Sequence, residues 1–157
     1  MPGWICWTRG VVLAADLQRT AQPEKVLAVV IRTEADIVSA RQAGRSLAAT
    51  IGFNATDQAL IATAISELAR NILRYAGSGE VRFSQKSARG RDGIEVVAAD
   101  HGPGIANLDD AMRDGFTTSG GLGLGLPGAK RLMDEFLVQT GASGTTITAL
   151  KFMGSNA

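Results

Sequence analysis

Three short segments carry residue types that could do chemistry together. In "SELARNILRYAG", Glu67 and Asn71 stand four residues apart. On a helix that spacing puts both side chains on one face, with Cβ atoms roughly 5–6 Å apart. A carboxylate beside an amide oxygen suits an oxygen-loving divalent cation and a polarised hydroxyl or water. Arg70 and Arg74 lie nearby. The plainer reading of this face is a solvated one. In "VVAADHGPGI", an apolar run delivers Asp100 to a turn where Gly102 and Gly104 remove side chains. An aspartate at the end of a strand can accept a hydrogen bond from a flat heterocycle; the plainer reading is an ordinary Asp-Gly turn. In "GFTTSGGLGLGLPGAK", residues 115–130, glycine takes six of the first fourteen positions. That density serves close approach to the backbone rather than a core.

The glycine stretch nearly fits two phosphate loops. "GLGLPG", Gly123 to Gly128, has the G-x-G-x-x-G spacing of a dinucleotide fingerprint. That fingerprint must follow a strand and needs an acidic residue about twenty positions later. Here "DGFTTSG" precedes it, and no Asp or Glu follows Glu135. The P-loop spacing fails by one residue, because Lys130 comes late in "GLGLPGAK". What remains is a run of glycines leading into a helix start with free N–H groups, which is an anion site. A merely flexible loop is the alternative.

These residues need a scaffold, and the chain supplies alternating elements. "KVLAVVIR", residues 25–32, reads as a strand. "TEADIVSARQAGRSLAATIGF" opens with a capping pattern from Thr33 to Asp36, repeats Ile37, Ala40, Leu47 and Ile51 at helical spacing, and stops at Gly52. Gly44, inside this helix, costs about 1 kcal/mol against Ala and points to a close packing contact. A second helix, "TDQALIATAISELARNILRYAG", buries Ile61, Ile65, Leu68, Ile72 and Tyr75 and ends at Gly77. "EVRFSQKS" and "GIEVVAAD" read as strands joined by "ARGRDG". Pro127 suits a first helical turn, so "LPGAKRLMDEFLV" reads as a third helix. Strand signals close the chain in "FLVQTG" and "TTITALKF".

Composition narrows the function classes. The chain has 157 residues, enough for one domain with a real core. Its formal net charge of +1 gives no electrostatic case for nucleic acid or an anionic membrane. There is no run of eighteen apolar residues, and so no membrane insertion is expected. The opening "MPGWICWTRGVVLAADLQ" lacks a basic n-region and is split by Arg9, which argues against a signal peptide. Cys6 is the one cysteine, so no internal disulfide can form, and a cytoplasmic location is the simplest expectation.

Taken in chain order, the segments resemble the Bergerat-fold (GHKL) ATPases, the superfamily of gyrase, Hsp90, sensor histidine kinases and MutL. "ELARN" is similar to that superfamily's N-box, "DHGPGI" to its D-x-G-x-G box, "GGLGLGL" to its glycine box and "GTTI" to its last box. The resemblance implies an α+β fold, a two-layer α/β sandwich with a mixed, mostly antiparallel sheet and helices on one face. It covers residues from about 25 to 153. Residues 1–24 are then an extension, read here as a mobile one, and 154–157 a tail. It further implies binding of ATP with Mg²⁺. Glu67 would orient or deprotonate an incoming hydroxyl, Asn71 would hold Mg²⁺, and Asp100 would read the adenine amino group with help from Thr145. Gly102 and Gly104 would shape the adenine loop. Thr117, Thr118, Ser119, Gly121, Leu122, Gly123, Leu124 and Gly125 would form a lid over the phosphates. No Lys or Arg occurs from Gly115 to Ala129. Cationic help with the phosphates must then come from Arg70, Arg74, Lys130 or the partner.

Within the superfamily, "AISELARNILRYAG", "DHGPGI" and "DGFTTSGGLGLGLPGAKRLMDEF" are similar to the RsbT-like serine/threonine kinases of bacterial stressosomes, relatives of the anti-sigma kinases. His101 is the only histidine and stands where those kinases usually carry glutamine. A complete histidine kinase would need a separate phospho-accepting histidine. The resemblance implies phosphorylation of STAS-domain partners (RsbS- or RsbR-like), then activation of a PP2C-type phosphatase of the RsbU kind. A homodimer is an expectation by analogy only. The competing reading is a binding module that uses ATP to set its shape and sequesters a partner.

Overall fold

The computed structural model describes residues 3–8, by backbone alone, and residues 25–113 and 125–154. The elements run β1 (Gly3–Thr8), β2 (Leu27–Ile31), α1 (Glu34–Ile51), α2 (Ala55–Ala76), β3 (Gly79–Ala88), β4 (Arg91–Asp100), α3 (Leu108–Ala111), α4 (Gly125–Leu132), β5 (Glu135–Gly141) and β6 (Gly144–Phe152). The strands form one sheet in the order β1-β5-β6-β4-β3-β2. Every pairing in it is antiparallel. The expected mixed sheet is therefore fully antiparallel among the described residues.

Helix α1 starts where the Asp36 carboxylate accepts the backbone N–H groups of Arg32 and Thr33, both at 2.9 Å. Those hydrogen bonds, led by the one from Arg32, hold its carboxyl below the usual carboxylate range. The helix ends at Gly52, whose φ of 117° is left-handed. Helix α2 is capped by Asn54, which accepts the Asp57 N–H at 2.8 Å, and stops at left-handed Gly77. Both helices lie on one face of the sheet. Ile61, Ile65, Leu68 and Ile72 of α2 meet Val81, Phe83, Val96 and Ala98 there and are almost completely buried.

Gly44 is a point of close approach between the two helices. A Cβ at this position would stand 2.1 Å from Ile65 Cδ1 and 3.1 Å from the Phe83 ring. The missing side chain is what lets α1 seat on α2 and the sheet.

Two elements depart from the expectation. The third helix ends at Leu132 instead of running to residue 138. Asp134 breaks it: its N–H goes to the Leu150 carbonyl and its carboxylate accepts the Phe152 N–H, both at 2.8 Å. "EFLVQTG" then pairs with β6, where Phe136 and Val138 are buried. The N-terminal segment was read without an element, yet Gly3–Thr8 adds a strand to β5. Its short "WICW" run is rich in β-formers but too brief for periodicity to register.

Gly44→Val should lower the unfolding free energy by about 1–3 kcal/mol through overpacking. Urea denaturation measures this. An unchanged midpoint would show slack in the α1–α2 contact.

Candidate functional site

Helix α2 carries a second face, distinct from its apolar stripe, and it is not solvated. Glu67 and Asn71 are each only 8% exposed. Helix α4 packs over them, with Leu126, Pro127 and Ala129 buried. Burying a carboxylate is costly unless it is paired and hydrogen-bonded, and Glu67 is both. Its Oε1 accepts from Arg70 Nη1 at 2.8 Å, and its Oε2 accepts the Gly125 N–H at 2.9 Å.

Gly125 is the first residue of α4, so Glu67 occupies the N-terminal end of that helix. Favourable electrostatics at the positive end of the helix follow. At the other end, Lys151, itself buried, donates from Nζ to the Leu132 carbonyl at 3.2 Å. A cation at a helix C-terminus is favourable for the same reason. Thus a short helix is gripped at both ends by buried charges of the appropriate sign.

The other half of the site lies at one end of the sheet. Thr140, Thr145, Asp100 and Gly79 stand in one cross-strand row. Asp100 Oδ1 accepts two backbone N–H groups, from Gly102 at 2.9 Å and from Thr145 at 3.2 Å. The Thr140 hydroxyl accepts the Ile105 N–H at 2.9 Å and lies 2.9 Å from the Thr145 hydroxyl. These bonds tie the turn after β4 to the β5–β6 hairpin. Asp100 and Thr145 are buried.

Gly102 and Gly104 are needed here by the protein's own backbone. A Cβ on Gly102 would stand 2.6 Å from Ala76 Cβ of α2, and one on Gly104, at φ 85°, would stand 2.3 Å from the Gly141 carbonyl oxygen. The turn after Asp100 is pressed against the C-terminal end of α2, the helix that carries Glu67 and Asn71. From Tyr75 back to Glu67 the axial distance is roughly 12 Å at 1.5 Å per residue. A cavity of about 320 Å³ opens at the same sheet end, lined by Ala99, Asp100, His101, Gln139, Thr140 and Thr146 among others.

The remaining site expectations fall out as follows. Arg70 reaches the site through Glu67, with its own side chain 46% exposed. Arg74 is exposed and lies over the Tyr75 ring at 5.5 Å. Lys130 stands in the last turn of α4. Thr117, Thr118, Ser119, Gly121, Leu122, Gly123 and Leu124 lie outside the described residues. Thr140 and Lys151 were missed. A threonine in a strand and a lysine near the chain's end carry no motif. Only the hairpin register, which sets Thr140 opposite Thr145, gives the first of them away.

The description "Histidine kinase-like ATPase domain" belongs to a family model that matches residues 31–151. The serine/threonine-protein kinase RsbT of Bacillus subtilis strain 168 is 56% identical over 126 residues, 80% of this chain and 95% of RsbT. Among solved structures, the mycobacterial sensor histidine kinase MprB is similar at 14% identity and a TM-score of 0.45, over 83% of this chain and 97% of that one. The chain belongs to the histidine kinase-like ATPase family. Within it, the chain falls with the serine/threonine protein kinases of the RsbT kind. No helix among the described residues is long and apolar enough to cross a membrane.

Two substitutions check the geometry without nucleotide. Asp100→Ala should leave the Gly102 and Thr145 N–H groups without their acceptor and cost about 1–3 kcal/mol of stability; an unchanged thermal midpoint would contradict the clamp. Lys151→Met should weaken the C-terminal grip on α4 by about 1–2 kcal/mol. Faster amide exchange confined to residues 125–132 is the expected readout.

Proposed function

We propose that the chain uses Mg²⁺-ATP to phosphorylate serine or threonine on STAS-domain proteins of the RsbS or RsbR type. Released from them, it binds and activates a PP2C-type phosphatase of the RsbU kind, in the cytoplasm. The observation that carries the kinase part is the buried Glu67 carboxylate, poised at the first amide of α4 in a chain 56% identical to a serine/threonine kinase. The partner and phosphatase assignments rest on the resemblance of the sequence segments alone.

The chemistry assigns each group a task. The Asp100 carboxylate, fixed by two backbone N–H groups through Oδ1, presents an acceptor to the adenine amino group. The triphosphate lies along α2 toward the start of α4, where a helix N-terminus favours anions. Asn71 fits Mg²⁺ as a single side-chain oxygen donor, since Mg²⁺ usually keeps several waters and shares substrate phosphates. When bound, the ion neutralises charge on the phosphates. A phosphate arriving at the α4 N-terminus competes with Glu67 for the Gly125 N–H. Glu67 is thereby freed to take the proton from the incoming hydroxyl as its oxygen bonds to the γ-phosphorus and ADP leaves. Arg70 stays beside Glu67 and supplies a cation next to the reacting groups.

A second reading has an observation of its own. Both Glu67 oxygens are engaged within the protein, as a purely structural cap would be. The chain would then be an ATP-gated binding module that sequesters a partner.

The readings separate on phosphotransfer. Incubated with Mg²⁺-ATP and a STAS-domain protein, the chain should add one phosphate to a serine or threonine, read by intact mass. Glu67→Gln should still bind ATP yet transfer about 10²–10⁴-fold more slowly. Absence of transfer by the unmodified chain across RsbS- and RsbR-like proteins favours the binding module. Asp100→Asn keeps an oxygen for the two backbone N–H groups but offers an NH₂ group in place of the free acceptor. It should retain stability while losing about 1–3 kcal/mol of ATP binding, measured by calorimetry. Equal affinity would remove Asp100 from the adenine contact.

A further inference from the structure

Strand β1 lies outside the family domain, whose model starts at residue 31. The match to RsbT leaves only a twentieth of that protein unaligned. That is too little for a strand and a connection the length of residues 9–24. In the domain proper, β5 is therefore the sheet's edge strand, with a row of N–H and C=O groups open to pairing. In this chain β1 fills that edge along six of its seven residues, from Gly3 opposite Thr140 to Thr8 opposite Glu135.

We propose that the β5 edge is a strand-docking site whose occupant is this chain's own β1, held reversibly by backbone pairing. The register defines what fits. Ile5 stands opposite Val138 and Trp7 opposite Phe136, and those two β5 residues are 0% and 1% exposed. An acceptable strand carries large apolar residues two positions apart and no proline, because strand addition takes affinity from the backbone and selectivity from alternate side chains. The edge is also joined to the buried row. Thr140, opposite Gly3, holds the Ile105 N–H and meets Thr145, so the strand that fills the edge borders the strand that anchors the Asp100 turn.

The test uses no nucleotide and does not depend on the kinase reading. Cys6, the chain's only cysteine, stands opposite Leu137, and directly opposed strand residues are within disulfide reach. In the full chain, Leu137→Cys should give one intramolecular disulfide on mild oxidation, migrating as a single chain under non-reducing denaturing conditions. A disulfide joining two chains, or two thiols left free, overturns the built-in occupant. A labelled peptide of residues 1–10, with Cys6→Ser, is then titrated by fluorescence anisotropy. It should bind a chain beginning at Lys25, or the full chain with Ile5→Pro and Cys6→Pro, at least about tenfold more tightly than the unmodified chain. Consecutive prolines serve because adjacent strand amides alternate in facing β5, so one ladder bond is always lost. The cross-linked chain and a scrambled peptide should show no binding. Equal affinity for open and cross-linked forms, or none for both open forms, overturns the docking edge.

Discussion

Helix α4 is only eight residues long, well short of what an isolated helix needs to be stable in water. It stands because buried groups hold its two ends, Glu67 at the Gly125 amide and Lys151 at the Leu132 carbonyl. Its apolar residues add burial against α2. The N-terminal grip is the one the candidate site depends on. It brings the segment next to the glycine-rich stretch down onto the polar face of α2, and it uses for this the carboxylate to which the proposed chemistry gives the proton. A group serving two partners in turn makes a site responsive. In the proposed mechanism, an anion arriving at the helix start takes over the favourable end of the helix dipole and releases the carboxylate.

The polar groups come from four separate parts of the chain, and the sheet register is what gathers them. Asp100 ends β4, Thr145 begins β6 and Thr140 ends β5, all in one row. Because β4 and β6 are antiparallel neighbours, a side chain at the end of one can hold a backbone N–H at the start of the other. Gly102 then lets the turn touch Ala76, which fixes the sheet end against the end of α2. Rigid elements thus carry the groups, while the glycine-rich stretch lies between them in sequence.

Much of this was legible in the sequence, for physical reasons that can be named. Helices α1 and α2 announced themselves by periodicity and by glycine stops at Gly52 and Gly77. Gly44, an outlier in a helix, marked a close contact that the geometry bears out. Spacing placed Glu67 and Asn71 on one helix face, but spacing cannot tell a solvated face from a buried one. Only the packing of α4 decides that. The end of α4 was misjudged because "LMDEFLV" has apolar residues that suit either period, and Asp134 breaks the helix through partners on β6, far away in sequence. Gly102 and Gly104, expected to shape an adenine loop, are sites of close approach. The approaching backbone, however, belongs to α2 and the β5–β6 turn, which no local pattern reveals. Thr140 and Lys151 act only through tertiary contacts and left no local signal.

The account stands on the row through Asp100 being an adenine-reading site at the end of α2. Calorimetric titration of the unmodified chain with ATP and with GTP, each with Mg²⁺, tests this directly. Adenine presents an amino donor to the Asp100 acceptor, whereas guanine presents a carbonyl at the equivalent ring position and would set two acceptors against each other. The account predicts one ATP site per chain and GTP binding at least about tenfold weaker. Equal affinities for the two nucleotides, or no binding of ATP, would contradict it.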